Sequence, residues 1–187
     1  RMGRRMFGSA HSGEDVAVID EVVSACEVLA KSRTGALVVF ERDADISEFI
    51  DPGTPLEARV SKTLLLNIFA PHPQNALHDG AAVIKDKWIR EAGAILPLSR
   101  SPRLDKDLGT RHRAGVGITE ETDAIAVVVS EQRGSISLCS GGTLYMGLTG
   151  PTLRRELLAI LAFPARSPRR RLDRLLRQLE WALGGGG

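Results

Sequence analysis

Residues 124–130 read AIAVVVS and form the most hydrophobic strand-like run in the chain. A short, uninterrupted apolar run predicts a strand that is buried on both faces, as in the centre of an α/β sheet. The residues that follow are EQRG (131–134) and SISLCS (135–140), which predict a hairpin that returns beside this strand. We therefore expect these residues to form the middle of a sheet.

Outward from this run, the chain alternates between strand and helix patterns. Further strands are expected at ALVVF (36–40) and at AAVI (81–84) and AGAILPL (92–98), the last two around a polar turn. Helical patterns cover residues 14–31, 55–69, a short segment after the polar loop 99–113, 151–163 and 169–183. Interleaved strands and helices predict an α/β fold, and the hairpins predict a mixed sheet. We expect a single globular domain with a central mixed β-sheet flanked by helices.

Composition limits the function classes. The 187 residues are 43% hydrophobic and 26% charged with a net charge of +2, so the chain has no strong basic character. Aromatic residues make up only 4%, too few for a base-stacking platform, and we expect no nucleic-acid partner. The two cysteines lie far apart, which favours reduced core thiols and a cytosolic compartment. No apolar run reaches the roughly 18–20 residues of a membrane span.

Three polar clusters carry chemistry: LHDGAAVI (77–84), LGTRHR (108–113) and VVVSE (127–131). Arginine forks and a helix start suit phosphate oxygens, whereas a carboxylate at a strand edge can hold a divalent cation or accept a proton. Each cluster taken alone also fits a plain alternative: a solvated basic loop, an Asp-Gly turn and a hairpin end. Together they suggest phosphoryl or nucleotidyl transfer. The motifs of P-loop ATPases, α/β-hydrolases and HExxH metalloproteases are absent.

These clusters, in this order, resemble the diadenylate cyclase domain family. TGALVVFER (34–42) and AGAILPLS (92–99) extend the resemblance, which runs over residues 14–142. The resemblance implies that two ATP molecules condense to cyclic di-AMP with release of two pyrophosphates. It also implies that each protomer binds one ATP and that two active sites meet face to face, so that catalysis needs a homodimer.

The resemblance assigns roles to the residues of these motifs. The catalytic residues it implies are Asp79, Arg111, His112 and Arg113, with Asp79 assisting loss of the proton from the attacking 3′-hydroxyl. The nucleotide-binding residues it implies are Gly80, Ala81, Ile95, Leu96, Thr110, Arg111, Arg113 and Ser130. Mg²⁺ or Mn²⁺ is expected on His78, Asp79 and Glu131. Two positions depart from the family pattern: Ile95 stands where an aromatic residue is common, and Gln132 where a second acid is common, which leaves open whether Glu131 is the metal ligand.

The ends of the chain suggest a branch of the family. We expect a basic connector at residues 1–13, the catalytic domain at 14–163, and a basic amphipathic helix with a glycine tail at 164–187. The connector resembles the segment after the transmembrane helices of the membrane-anchored branch. That branch implies a soluble catalytic piece at the cytoplasmic face of the bacterial membrane, with a regulatory membrane protein and phosphoglucosamine mutase as partners. The alternative is an ATP-binding regulatory module of the same fold without turnover.

Overall fold

A computed structural model describes residues 13–161 of the chain. The elements in this range, in chain order, are α1 (Gly13–Lys31), β1 (Ala36–Glu41), β2 (Thr54–Arg59), α2 (Lys62–Ile68), a 3-10 turn (Ala76–Asp79), β3 (Ala81–Lys85), β4 (Trp88–Ala94), α3 (Thr110–Glu121), β5 (Ile125–Val129), β6 (Ile136–Ser140), β7 (Thr143–Leu148) and α4 (Gly150–Leu161).

The strands form one seven-stranded sheet in the order β2-β4-β3-β1-β5-β6-β7. Strands β1 and β3 are parallel, and every other neighbouring pair is antiparallel. The predicted α/β fold with a central mixed sheet is therefore confirmed. The two most apolar runs become neighbours in the sheet, because Val38 of β1 lies opposite Val127 of β5.

Helices cover both faces of the sheet, which explains why its central strands are apolar throughout. In β1, Val38 and Phe40 face the layer built by α1, α2 and α4. Their neighbours Leu37 and Val39 face the opposite layer, which contains α3. Successive strand residues alternate between faces, so a strand covered on both sides needs an apolar residue at every position.

The helix predicted at 55–69 is wrong in its first half. Residues Thr54–Arg59 form the edge strand β2, and only Lys62–Ile68 form α2. Ser61 begins this helix, because its hydroxyl accepts a hydrogen bond from the Leu64 N–H at 3.2 Å. Pro55 is tolerated in β2 because an edge strand does not need every backbone N–H for the sheet.

The strand predicted at 92–98 both starts and ends earlier than expected. Strand β4 covers Trp88–Ala94 and pairs with β3 across a turn at Asp86 and Lys87, so most of the predicted polar turn is strand. Asp86 adopts a φ of 54°, the left-handed conformation that tight hairpin turns require. Strand β7 was not predicted, and it follows β6 through Gly141 and Gly142, which both have positive φ.

The long helices agree well with the sequence patterns. The helices predicted at 14–31 and 151–163 appear as α1 and α4, although residues 162 and 163 lie outside the described residues. The predicted connector, apart from Gly13, and the C-terminal segment 164–187 also lie outside them. Within residues 13–161, no helix combines the length and apolar character that crossing a membrane requires.

Candidate active site

The predicted polar clusters meet at one end of the three central strands. Parallel strands β1 and β3 both begin at this end of the sheet, and β5, antiparallel to β1, finishes there. Gly35 precedes β1, Gly80 precedes β3, and Ser130 follows β5. Helix α3 also begins here, because its first turn and residues 129–133 line the same pocket. The topology thus brings together residues that lie about a hundred positions apart in the sequence.

His78 and Asp79 end the 3-10 turn that leads into β3. Asn75 caps this turn, since its side chain accepts a hydrogen bond from the Leu77 N–H at 3.1 Å. The Nδ1 atom of His78 contacts the Asn75 carbonyl oxygen. A carbonyl only accepts hydrogen bonds, so Nδ1 carries the proton and Nε2 keeps a lone pair in the neutral ring. Nε2 lies 3.3 Å from Oδ1 of Asp79, whose side chain is 75% exposed.

Gly80 allows this turn to lie directly against the end of β4. A Cβ atom on Gly80 would overlap the backbone of Gly93 and would lie 2.6 Å from the Ala94 carbonyl oxygen. Both obstacles are main-chain atoms in the sheet, so a larger residue would push the turn away. Ala81 is fully buried as the first residue of β3. Gly80 therefore lets the His78–Asp79 turn lie against β4, and the expected contact of Gly80 and Ala81 with a nucleotide stays a prediction.

Helix α3 presents its N-terminus to the pocket. Gly109 precedes the helix and provides no side-chain cap, and Thr110 is exposed at its first position. A 12-residue helix carries a partial positive charge at this end, where free N–H groups can bind an anion. The sequence predicts phosphate binding at this helix start, and in the structure the first turn of α3 lines a pocket together with Ser130 and Glu131.

Arg111 links the three clusters. Its Nη1 atom donates to Oε2 of Glu131 at 2.5 Å, and its Nη2 atom donates to the His78 carbonyl oxygen at 3.1 Å. The Nε atom is buried and has no hydrogen-bond partner. Gly35 lies immediately beside this ion pair, because a Cβ atom there would be 2.5 Å from Nη1 and would overlap the Glu131 carboxylate.

The three consecutive residues Arg111, His112 and Arg113 have different surroundings. His112 is only 5% exposed, and its Nε2 atom is buried without a partner. Burial lowers the pKa of His112 below its ordinary value, and the positive charge of Arg133 lowers it further. The Nη2 atom of Arg113 donates to the Asp105 carbonyl oxygen at 3.1 Å, which holds the loop before α3. The three side chains therefore do not form a single cationic cluster.

Ser130 belongs to the tight turn between β5 and β6. Its side chain is 8% exposed, and its hydroxyl accepts a hydrogen bond from the Arg133 N–H at 3.2 Å. The backbone closes the same turn, since the Gly134 N–H donates to the Ser130 carbonyl oxygen at 2.8 Å. Ser130 and Glu131 consequently have fixed backbone positions at the mouth of the pocket, while the Glu131 side chain is 55% exposed.

Ile95 and Leu96 have opposite environments. Leu96 is 4% exposed and packs in the layer that contains α3, whereas Ile95 is 52% exposed. The backbone of Ile95 forms an isolated bridge with Asp51. Of these two residues, Ile95 is the one that offers an exposed apolar surface.

The predicted metal ligands are only partly assembled. Within residues 13–161, no group of three or more His, Cys, Asp or Glu side chains is arranged to hold a metal ion. His78 and Asp79 fit two positions of a divalent cation, because the Nε2 lone pair and the carboxylate lie side by side. Glu131 is paired with Arg111 instead. Mg²⁺ commonly takes its remaining ligands from phosphates and water, which is compatible with a two-residue site.

Sequence reasoning missed the contributions of Gly35 and Asn75. Gly35 lies directly before a buried strand within the TGALVVFER stretch, a position that could have indicated close backbone approach. Asn75 precedes the LHDGA stretch, where an Asn side chain commonly caps a turn. The contact of each with the site depends on tertiary geometry that local patterns do not contain.

Comparison with known proteins defines the family. The model of the DAC family, described as the DisA bacterial checkpoint controller nucleotide-binding domain, matches residues 23–144. This span includes every candidate site residue from His78 to Glu131. The chain belongs to the DAC family.

Individual relatives agree with this assignment. A diadenylate cyclase from Listeria monocytogenes serotype 1/2a (strain 10403S) is 45% identical over 152 residues, which cover 81% of this chain and 55% of that protein. The structure of a double mutant of DacA from Staphylococcus aureus matches with a TM-score of 0.74 at 39% identity, covering 79% of this chain and 97% of that chain. A hypothetical membrane spanning protein from Bacillus cereus matches with a TM-score of 0.65 at 41% identity, covering 68% and 62%. The chain thus spans little more than half the length of the Listeria relative.

Proposed function

We propose that this chain is the catalytic part of a diadenylate cyclase, which condenses two ATP molecules into cyclic di-AMP and releases two pyrophosphates. The observation that carries the proposal is the position of Arg111 at the start of α3, where it joins the His78–Asp79 turn to Glu131. This arrangement puts a guanidinium and a helix N-terminus beside the Glu131 carboxylate and beside the turn that carries Asp79. Phosphates and a reacting hydroxyl need these groups close together.

The chemistry requires deprotonation of a hydroxyl and stabilisation of phosphate charge. The 3′-oxygen of one nucleotide attacks the α-phosphorus of the other, the bond to the β-phosphate oxygen breaks, and pyrophosphate leaves. Asp79 is exposed and can accept the hydroxyl proton. Thr110, Arg111 and the first N–H groups of α3 hold the phosphates.

We further propose that His78 and Asp79 hold Mg²⁺ or Mn²⁺. When bound, the cation would neutralise phosphate charge and favour the deprotonated form of the attacking hydroxyl. The contact between His78 Nδ1 and the Asn75 carbonyl oxygen supports this role, because it orients the ring with Nε2 toward Asp79. Glu131 is the third proposed ligand, and it must first separate from Arg111.

A homodimer follows from the proposed reaction. If each protomer binds one ATP, each 3′-hydroxyl must reach the α-phosphate held by the other protomer. The 75% exposure of Asp79 supports this arrangement, since its carboxylate can face a nucleotide from outside its own chain. For the longer protein, we propose the cytoplasmic face of the bacterial membrane, in line with the membrane spanning protein that this chain resembles. The regulatory membrane protein and phosphoglucosamine mutase remain proposed partners through the family resemblance.

Asp79→Asn separates turnover from nucleotide binding. We expect the variant to bind ATP with nearly unchanged affinity and to lose cyclic di-AMP formation by about 10²–10⁴-fold, the usual contribution of a general base. Asp86→Asn is the matched control, because it removes the same charge at the other end of β3, where asparagine tolerates the left-handed φ. Equal product from Asp79→Asn and wild type would contradict the role of Asp79. Binding without product by the wild-type chain would favour the regulatory module.

A further inference from the structure

Arg111, the residue proposed to bind phosphate, already carries a negative partner. Its Nη1 atom lies 2.5 Å from the Glu131 carboxylate. A triphosphate that approaches this guanidinium must replace that carboxylate or share the arginine with it. Glu131 is therefore positioned as a competitor of the phosphates.

The two members of this pair differ in their freedom to move. Arg111 is 24% exposed, donates to the His78 carbonyl oxygen and lies against Gly35, so its guanidinium is fixed from several sides. Glu131 is 55% exposed, and Arg111 is the partner seen for its carboxylate among the described residues. When the pair separates, Glu131 is the residue that moves, because water can solvate its carboxylate.

The charge of the incoming nucleotide decides what the separation costs. A free triphosphate would displace the Glu131 carboxylate from Arg111. The carboxylate would then lie next to the negatively charged phosphates, and the two would repel each other. A triphosphate that arrives with a divalent cation provides a new positive partner for Glu131. The exchange then conserves the number of opposite-charge contacts.

We propose that Glu131 makes this site select a cation-complexed triphosphate over a free one. In the metal-free protein, Glu131 occupies Arg111 and weakens phosphate binding. In the presence of the cation, the carboxylate leaves Arg111 and the phosphates take its place. The inference rests on the proposed function, because it needs a nucleotide triphosphate at this pocket.

The test measures binding and does not depend on turnover. The probe is 3′-deoxyATP, which lacks the attacking hydroxyl, titrated calorimetrically into the chain with Mg²⁺ or with EDTA. The variant is Glu131→Gln, which keeps the side-chain shape and removes the charge. Glu57→Gln is the matched control, because Glu57 is paired with Arg90 at 2.7 Å, is 60% exposed and lies on the edge strand β2.

We expect Mg²⁺ to tighten binding to the wild-type chain. Glu131→Gln should bind the probe about tenfold more tightly than wild type in EDTA and should gain less from Mg²⁺, whereas Glu57→Gln should match wild type. Unchanged affinity of Glu131→Gln in EDTA, or an undiminished gain from Mg²⁺, would overturn the role of Glu131 and leave the proposed function intact. No binding of the probe by the wild-type chain in either buffer would overturn the proposed function itself.

Discussion

Arg111 and Arg113 provide a sharp test of the site, because the sequence predicts the same role for both and the structure gives them different surroundings. A helix turns by about 100° per residue, so positions two apart face nearly opposite sides. Arg111 faces Glu131 and the His78 carbonyl oxygen, whereas Arg113 reaches the Asp105 carbonyl oxygen in the loop before α3. Arg111 lines the pocket with Ser130, but Arg113 does not.

The expected magnitudes follow from these contacts. Hydrogen bonds to charged groups contribute about 1.5–3 kcal/mol, so Arg111→Gln should weaken binding of 3′-deoxyATP by about 10- to 150-fold. Arg113→Gln removes the same charge without removing a pocket residue. It should change the affinity by less than about threefold and lower the free energy of unfolding by about 1 kcal/mol through the lost contact to Asp105.

Calorimetric titration and urea unfolding of both variants measure the two effects separately. The comparison controls for net charge and for the general effect of changing a residue in the first turn of α3. Equal losses of affinity, or a larger loss for Arg113→Gln, would refute the division of roles and would return Arg113 to the phosphate site.

Three further predictions concern burial and close packing. Because burial lowers the folded-state pKa of His112, its contribution to stability is complete above about pH 6.5 and declines as the pH falls toward that lowered value. His112→Gln should flatten the decline in the free energy of unfolding as the pH falls below about 6.5, and an unchanged slope would count against a neutral, buried imidazole. Gly35→Ala should disturb Arg111 and Glu131 and weaken 3′-deoxyATP binding by about tenfold or more. Tm should change little, because the clashing atoms belong to side chains at the pocket and not to the backbone of the sheet. Full affinity would show that the pair tolerates the added methyl group. Burial raises the pKa of Cys26 to about 12 and also raises that of Cys139, so Ellman's reagent should label neither thiol before unfolding, and rapid labelling of the native chain would contradict their burial.

The sequence predicts the centre of the sheet well, because burial on both faces leaves a continuous apolar signal. The runs 36–40 and 124–130 became β1 and β5 almost unchanged. It predicts the sheet edges poorly. Leu56, Val60 and Leu64 have helical spacing, yet the first of them lies in β2, where one side of the strand has no neighbour in the sheet. Edge strands carry a weaker pattern, so spacing that matched a helix by chance gave the wrong element.

For the site, the sequence predicted which residue types take part but not how they are arranged. The carboxylate, imidazole, hydroxyl and guanidinium groups were all identified from sequence, and the fold brings most of them to one end of the central strands. The sequence could not predict that His112 is buried or that Arg111 is already paired with Glu131. These features depend on the direction of side chains from α3 and on the close approach of Gly35, which only the tertiary structure specifies.

The central claim is that this chain joins two ATP molecules. The most direct measurement is incubation of the chain with ATP and either Mn²⁺ or Mg²⁺, over a range of protein concentrations, followed by chromatography of the nucleotides with mass detection. We predict cyclic di-AMP and pyrophosphate, with a rate per protomer that rises with protein concentration because two active sites must meet. Bound but intact ATP at high protein concentration, including for two copies of the chain tethered together, would contradict the account and identify a nucleotide-binding module without turnover.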